Sequence, residues 1–191
     1  MGQYYFPVEL EKKEHLYSHD FGNGLKLMEH SWLDNNFVQA VEMLLVDGGR
    51  WDKHKIVWAG NYADSEEEGS EYYQHDENGN PLNIQSMLDD KDKLVFVIET
   101  CPPDHHFLVN FDKKEYVDKR NIKGFKLNWS DEELFIHPLP LLTCEGNGRG
   151  GGDFNGADPN NLVGSWARNR IGLRREIPEG FTELKFDLTE S

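Results

Sequence analysis

The chain has 191 residues, 37 % hydrophobic and 12 % aromatic, and its 35 acidic against 20 basic residues give a net charge of −15. That share of aromatic rings supplies the apolar area of a real core and excludes global disorder, while a field of this sign repels nucleic-acid phosphates and excludes duplex nucleic acid as the expected partner. The length suits a single domain over residues 1–191.

Met1 to Phe6 lacks a basic start followed by an apolar stretch, so no secretory signal is expected. Phe6 stands where myristoylation of Gly2 would need Ser or Thr. Residues 35–46 place Phe37, Val38, Val41, Leu44 and Leu45 at intervals of three and four behind Asp34-Asn35 and ahead of Gly48-Gly49, which predicts a helix. Residues 54–59 and 94–99 are short, apolar and bounded by turn formers, which predicts strands. Between them, residues 64–78 hold seven carboxylates and neither Lys nor Arg, and end in Asn78-Gly79-Asn80-Pro81; a solvated acidic loop is expected.

Residues 106–118 alternate through Phe107, Val109 and Phe111, break at Asp112-Lys113-Lys114 and resume, as a hairpin does. Residues 146–156 carry too much glycine for the interior of a helix or strand. Cys101 and Cys144 form no Cys-x-x-Cys pair and are expected to be reduced thiols. The apolar run Leu94 to Ile98 is far short of the roughly 18 residues of a spanning helix. A cytoplasmic protein without a membrane partner is the expectation.

The chain also aligns with itself. Phe6, Val8, Lys12, Lys13 and Glu14 match Phe107, Val109, Lys113, Lys114 and Glu115; Gly24-Leu25-Lys26-Leu27 matches Gly124-Phe125-Lys126-Leu127; and Gly49-Arg50-Trp51 with Lys55-Ile56 matches Gly164-Ser165-Trp166 with Arg170-Ile171. The offsets of 101, 100 and 115 keep the same order. They predict an α+β fold of mostly antiparallel sheet with a few helices, built by internal duplication with pseudo-twofold character. Copy one is expected at about residues 4–60 and copy two at about 105–175, joined by an acidic loop region at 64–93. Any added function is expected where the copies differ.

Four blocks resemble a group of bacterial and phage-associated proteins over most of the chain: Met1-Gly2-Gln3-Tyr4-Tyr5, His19 to His30, Trp58-Ala59-Gly60-Asn61-Tyr62-Ala63-Asp64, and Gly146 to Phe154. The resemblance implies a bacterial or mobile-element origin and brings no activity with it.

Three functional readings stand open. In the first, the chain is a non-catalytic binding protein whose Asp64, Glu66, Glu67, Glu68 and Glu71 meet a basic protein, or which takes a small anionic ligand. In the second, Gly148, Arg149, Gly150 and Asp153 of the glycine-rich loop, with Trp166, Arg168 and Arg170 of an arginine island that also holds Arg174 and Arg175, surround a nucleotide or other anion. The loop lacks the Lys-Ser/Thr of a P-loop. In the third, His19, Asp20, Glu29 or His30 serve a hydrolase or transferase as acid or base. No Gly-x-Ser-x-Gly elbow or His-Glu-x-x-His motif is present, and no metal or cofactor is expected from spacing.

Overall fold

The computed structural model describes residues 2–95, 104–126, 132–147 and 154–188. In chain order it contains β1 (Tyr5–Glu9), α1 (Leu27–His30), α2 (Asn36–Leu45), β2 (His54–Gly60), β3 (Phe107–Asn110), β4 (Glu115–Asp118), β5 (Phe125–Lys126), β6 (Glu133–Leu134), α3 (Pro138–Thr143), β7 (Cys144–Glu145), β8 (Asn169–Arg174) and β9 (Thr182–Glu183). A seven-stranded sheet runs β1-β2-β8-β3-β4-β9, with β7 joined to β2; β5 and β6 pair separately. The pairings are antiparallel except β2 with β7 and β4 with β9. The class is α+β, as composition and pattern predict.

Side chains alternate across a strand, so each strand serves two layers. One face carries Tyr5, Ile56, Trp58, Leu108, Ile171 and Leu173 into the main core, where α2 supplies Phe37, Val38, Val41, Leu44 and Leu45. The other face carries Val8, Val57 and Ala59, which Ile84, Tyr72, Met87 and Leu88 cover. Helix α2 begins where its cap places it: the Asn35 side chain accepts from the N–H groups of Phe37 and Val38 at 3.0 and 3.3 Å. Helix α3 was not expected, because Pro138 and Pro140 disguise it; Pro138 occupies its first turn, where a missing N–H costs nothing, and the ring of His137 accepts from the N–H of Leu139 at 3.1 Å.

The expected strand at 94–99 is described only in part. The Leu94 N–H donates to the His15 carbonyl at 2.9 Å beside a Lys93–His15 bridge, Val95 is exposed, and residues 96–99 lie outside the described residues, as does Cys101. Cys144 is buried, and its thiol donates to the Leu141 carbonyl at 3.3 Å. No helix among the described residues is long and apolar enough to cross a membrane.

The turn at residues 9–14 and the turn at 110–115 are closed alike. Glu9 accepts from the N–H groups of Glu11 and Lys12 at 3.2 and 2.8 Å, and Asn110 accepts from those of Asp112 and Lys113 at 3.0 Å each. Lys13 and Lys114 hold the left-handed φ values of +57° and +55°. The indole of Trp51 donates to Glu14 at 3.1 Å, and that of Trp166 to Glu115 at 2.8 Å. In the centre of the sheet the Lys53 N–H donates to the Ile171 carbonyl at 2.9 Å and the Arg168 N–H to that of Ile56 at 2.8 Å, on either side of the Lys55–Arg170 register pair.

His30 lies inside the main core with no exposed surface. Its Nε2 accepts from the Trp58 indole at 2.9 Å and its Nδ1 donates to the Gly24 carbonyl at 3.1 Å, so the ring is the neutral Nδ1–H tautomer. Burial lowers its pKa from 6.5 to about 4, against the opposing pull of Gly24 and Glu29. The unfolded chain therefore binds the proton from about pH 6.5 downward and the fold only near pH 4, so stability falls as pH drops through that window. Urea unfolding of the wild type is expected to lose about 2 kcal/mol more between about pH 7 and about pH 5 than His30→Gln does. Equal pH slopes in the two proteins would refute this assignment.

Candidate functional site

The four acid–base candidates are each engaged separately. His19 is exposed in a 3-10 turn, with Nδ1 3.1 Å from the Tyr17 hydroxyl. Asp20 pairs with Lys93 at 3.1 Å. Glu29, about half exposed, accepts from the Lys26 N–H at 3.0 Å, and His30 is the core histidine described above.

The arginine island is threaded among carboxylates. Arg168 holds a left-handed φ of +64° and lies between two buried acids: Nε donates to Glu145 at 2.5 Å and a terminal nitrogen to Glu66 at 2.6 Å. Burial opposes its charge, but the bonds to both acids outweigh it and raise its pKa further. Arg170 pairs with Asp112 at 2.7 Å, Arg174 with Asp52 at 2.5 Å and Arg175 with Asp104 at 3.0 Å. Trp166 has no exposed surface to offer a stacked base. Arg50 and Arg120 are likewise paired, with Glu14 and Asp118, so each of the six described arginines has a carboxylate partner. Gly148, Arg149, Gly150 and Asp153 lie outside the described residues.

Asp64, Glu67, Glu68 and Glu71 are exposed, but Glu66 is not: it is 2 % exposed, because Arg168 draws it beneath the loop. The segment around them is built. The Glu66 N–H donates to Leu82 and the Leu82 N–H to Gln74, closing the ends of the excursion on each other, while Asp76 caps the Asn78-Gly79 turn by accepting from the N–H groups of Asn78 and Asn80 at 2.8 Å each. Residues 61–92 carry ten carboxylates and one lysine, which is nine of the fifteen net negative charges.

Two further clusters escaped the sequence reading. Glu42 is buried between Lys119 and His137; His137 Nε2 donates to it at 3.0 Å. Burial pushes the Glu42 carboxyl up, but His137 and Lys119 outweigh it and hold it down at about 2, while burial lowers His137. This charged knot ties α2 to the start of α3, with Glu42 and His137 closed to solvent and Lys119 partly exposed. At the first turn, His54 Nδ1 lies 2.9 Å from Glu9 and 3.9 Å from Glu11. Setting the two turns side by side would have found it, since Glu9 and His54 stand where the second turn has Asn110 and Asn169.

Open grooves also lie among the described residues. One of about 390 Å³ is lined by Ile122, Lys123, Leu184, Phe186 and Asp187, with Lys123 paired to Asp187 at 3.1 Å. Another of about 430 Å³ is lined by Asp47, His105, Arg174, Arg175 and Glu176, a mixed lining with no net pull on an anion. No family model, curated protein or solved structure matches the chain.

Removing one partner of a buried ion pair leaves the other uncompensated. Arg168→Ala is expected to cost about 3 kcal/mol in urea unfolding and to open residues 61–83 to limited proteolysis. Lys53→Ala, at the matching left-handed position but exposed, is expected to cost less than about 1 kcal/mol. Equal losses would mean that Arg168 does not anchor the excursion.

Proposed function

We propose that the chain is a non-catalytic interaction protein of bacterial or mobile-element origin, made of two copies of a hairpin unit, whose acidic excursion at residues 61–92 docks a basic protein partner. The observation that carries this reading is an asymmetry of charge engagement. The described arginines are each bound to a carboxylate of the same chain, whereas Asp64, Glu67, Glu68, Glu77 and Asp90 face solvent in a segment whose single lysine, Lys91, is paired with Asp89.

The matched hydrogen bonds of the two turns and the reciprocal bonds about Lys55 and Arg170 support the two-copy reading. So does the way each unit ends: the Leu94 N–H donates to His15 as the Leu184 N–H donates to Tyr116. The units differ in what comes before that bond. After β2 the first runs through residues 61–92, while β8 reaches β9 through residues 175–181. The acidic excursion is thus the addition that one copy carries and the other lacks.

The excursion is ordered before any partner arrives. Arg168 holds Glu66, and Tyr72, Ile84, Met87 and Leu88 cover the outer sheet face. Ordering costs are therefore met by the fold and subtract little from binding, and the dense negative field steers a basic partner and raises its rate of encounter. An anionic ligand would have to compete with existing ion pairs for any described arginine, which disfavours the nucleotide reading at Trp166, Arg168 and Arg170.

Proteins captured from a bacterial lysate at about 50 mM salt are expected to elute by about 300 mM, since screening shortens the reach of exposed charges. Asp64→Asn/Glu67→Gln/Glu68→Gln, at exposed positions, is expected to fold normally and to lose about tenfold or more of that capture. An unchanged set of captured proteins, or elution indifferent to salt, would overturn the proposal.

A further inference from the structure

The two turns provide an internal control for what the fold requires. In each, a side chain on the last residue of the first strand accepts two backbone N–H groups and meets a side chain from the first residue of the neighbouring central strand. In the second turn both partners are amides, with Asn110 Oδ1 closing the turn and its Nδ2 donating to Asn169 at 2.8 Å. A neutral pair therefore satisfies the architecture completely. In the first turn the same positions hold a carboxylate and an imidazole, Glu9 and His54.

A third group joins them only on that side. In the second turn Asp112 is taken by Arg170 at 2.7 Å. In the first turn the matching acid is Glu11 and the matching cation Lys55, but Lys55 turns to Glu71 at 2.8 Å. Glu11 faces His54 instead, 3.9 Å from Nδ1. One ligand atom from each of Glu9, Glu11 and His54 thus falls within 4.8 Å of the others.

We propose that Glu9, Glu11 and His54 form a binding site for a divalent transition-metal ion, with Zn²⁺ the tightest of the biologically common redox-inert ones. Zn–N and Zn–O bonds of about 2.0–2.2 Å place neighbouring ligand atoms roughly 3–3.5 Å apart; the observed 2.9 and 3.9 Å bracket that spacing. Glu11 is the mobile member, with its side chain 59 % exposed, so a rotation of that chain closes the set. Glu9 is the fixed member: it is wholly buried, and the Lys12 N–H holds its second oxygen at 2.8 Å, the kind of outer support that orients a ligating carboxylate. The imidazole nitrogen with two carboxylate oxygens suits Zn²⁺ above Mn²⁺, and a hard oxygen-seeking ion such as Mg²⁺ least. Binding at His54 Nδ1 requires that nitrogen without its proton, the neutral ring then carrying N–H at Nε2, so protons compete with the ion and uptake weakens in acid. His54 is 28 % exposed, which leaves the remaining positions around the ion to water.

The test is calorimetric titration of tag-free protein with Zn²⁺, at neutral and at mildly acid pH, supported by the visible spectrum of Co²⁺. The wild type is expected to bind one ion, more weakly at the acid pH. Glu11→Gln, an exposed change that leaves the turn intact, is expected to weaken binding about tenfold or more, a loss at least as large as that of removing an outer support. Glu9→Asn/His54→Asn installs the amide pair of the second turn; it is expected to keep the cooperative unfolding of the wild type and abolish binding. Absence of Zn²⁺ binding by the wild type at about a hundredfold excess over protein would overturn the site, since a ligand at that excess registers even at modest affinity. Undiminished binding by Glu11→Gln together with the double variant would overturn it equally, by placing the ion elsewhere.

Discussion

Strands β2 and β8 come from opposite halves of the chain, and their antiparallel pairing across Lys55 and Arg170 is the constraint on which the other elements hang. Strand β1 is held by β2 and β3 by β8, so each hairpin has one side on the central pair. The same pairing brings Trp51 and Trp166 beneath the turns whose glutamates accept their indole N–H groups. It also brings Ile56 and Ile171 onto one face, where α2 and α3 can bury them. An error in this register by one residue would turn the apolar set to the wrong side. The closure of both hairpins and the burial of the core are therefore one event.

Charge is distributed as a consequence of that frame. The corner residues entering β2 and β8 both take a left-handed backbone, and at the second corner Arg168 is thereby aimed at Glu145 on β7 and Glu66 in the excursion. Two acids share one guanidinium in a site largely withdrawn from water, where each partner is strongly coupled to the others. The excursion is fastened at this point and over the outer apolar face, and its remaining carboxylates are turned outward. An acidic surface can thus be held in a defined shape despite its self-repulsion.

Local periodicity made much of the fold legible. The spacing of Phe37, Val38, Val41, Leu44 and Leu45 marked α2, and the alternation about Asp112-Lys113-Lys114 marked β3 and β4. Helix α3 was hidden because its prolines read locally as breakers, while their place in its first turn makes them harmless. The candidate sites were less legible. Glu66 and Glu67 are adjacent and chemically identical, yet one is buried under Arg168 and the other exposed, a distinction set by a residue about a hundred positions away. His30 reads as an acid–base group in a polar stretch; its burial against Trp58 makes it a neutral structural ring.

The sequence by itself determined the α+β class, the position of the main helix, the hairpin at residues 106–118 and the concentration of negative charge between β2 and residue 93, because each of these depends on patterns a few residues long. Only the tertiary structure decided which arginine meets which carboxylate, that Trp166 is buried, and that Glu9, Glu11 and His54 converge while Asn110, Asp112 and Asn169 fill the corresponding places. Electrostatic partnership depends on distances of a few ångströms between residues far apart in the chain, and composition and net charge fix the number of charges without fixing those distances.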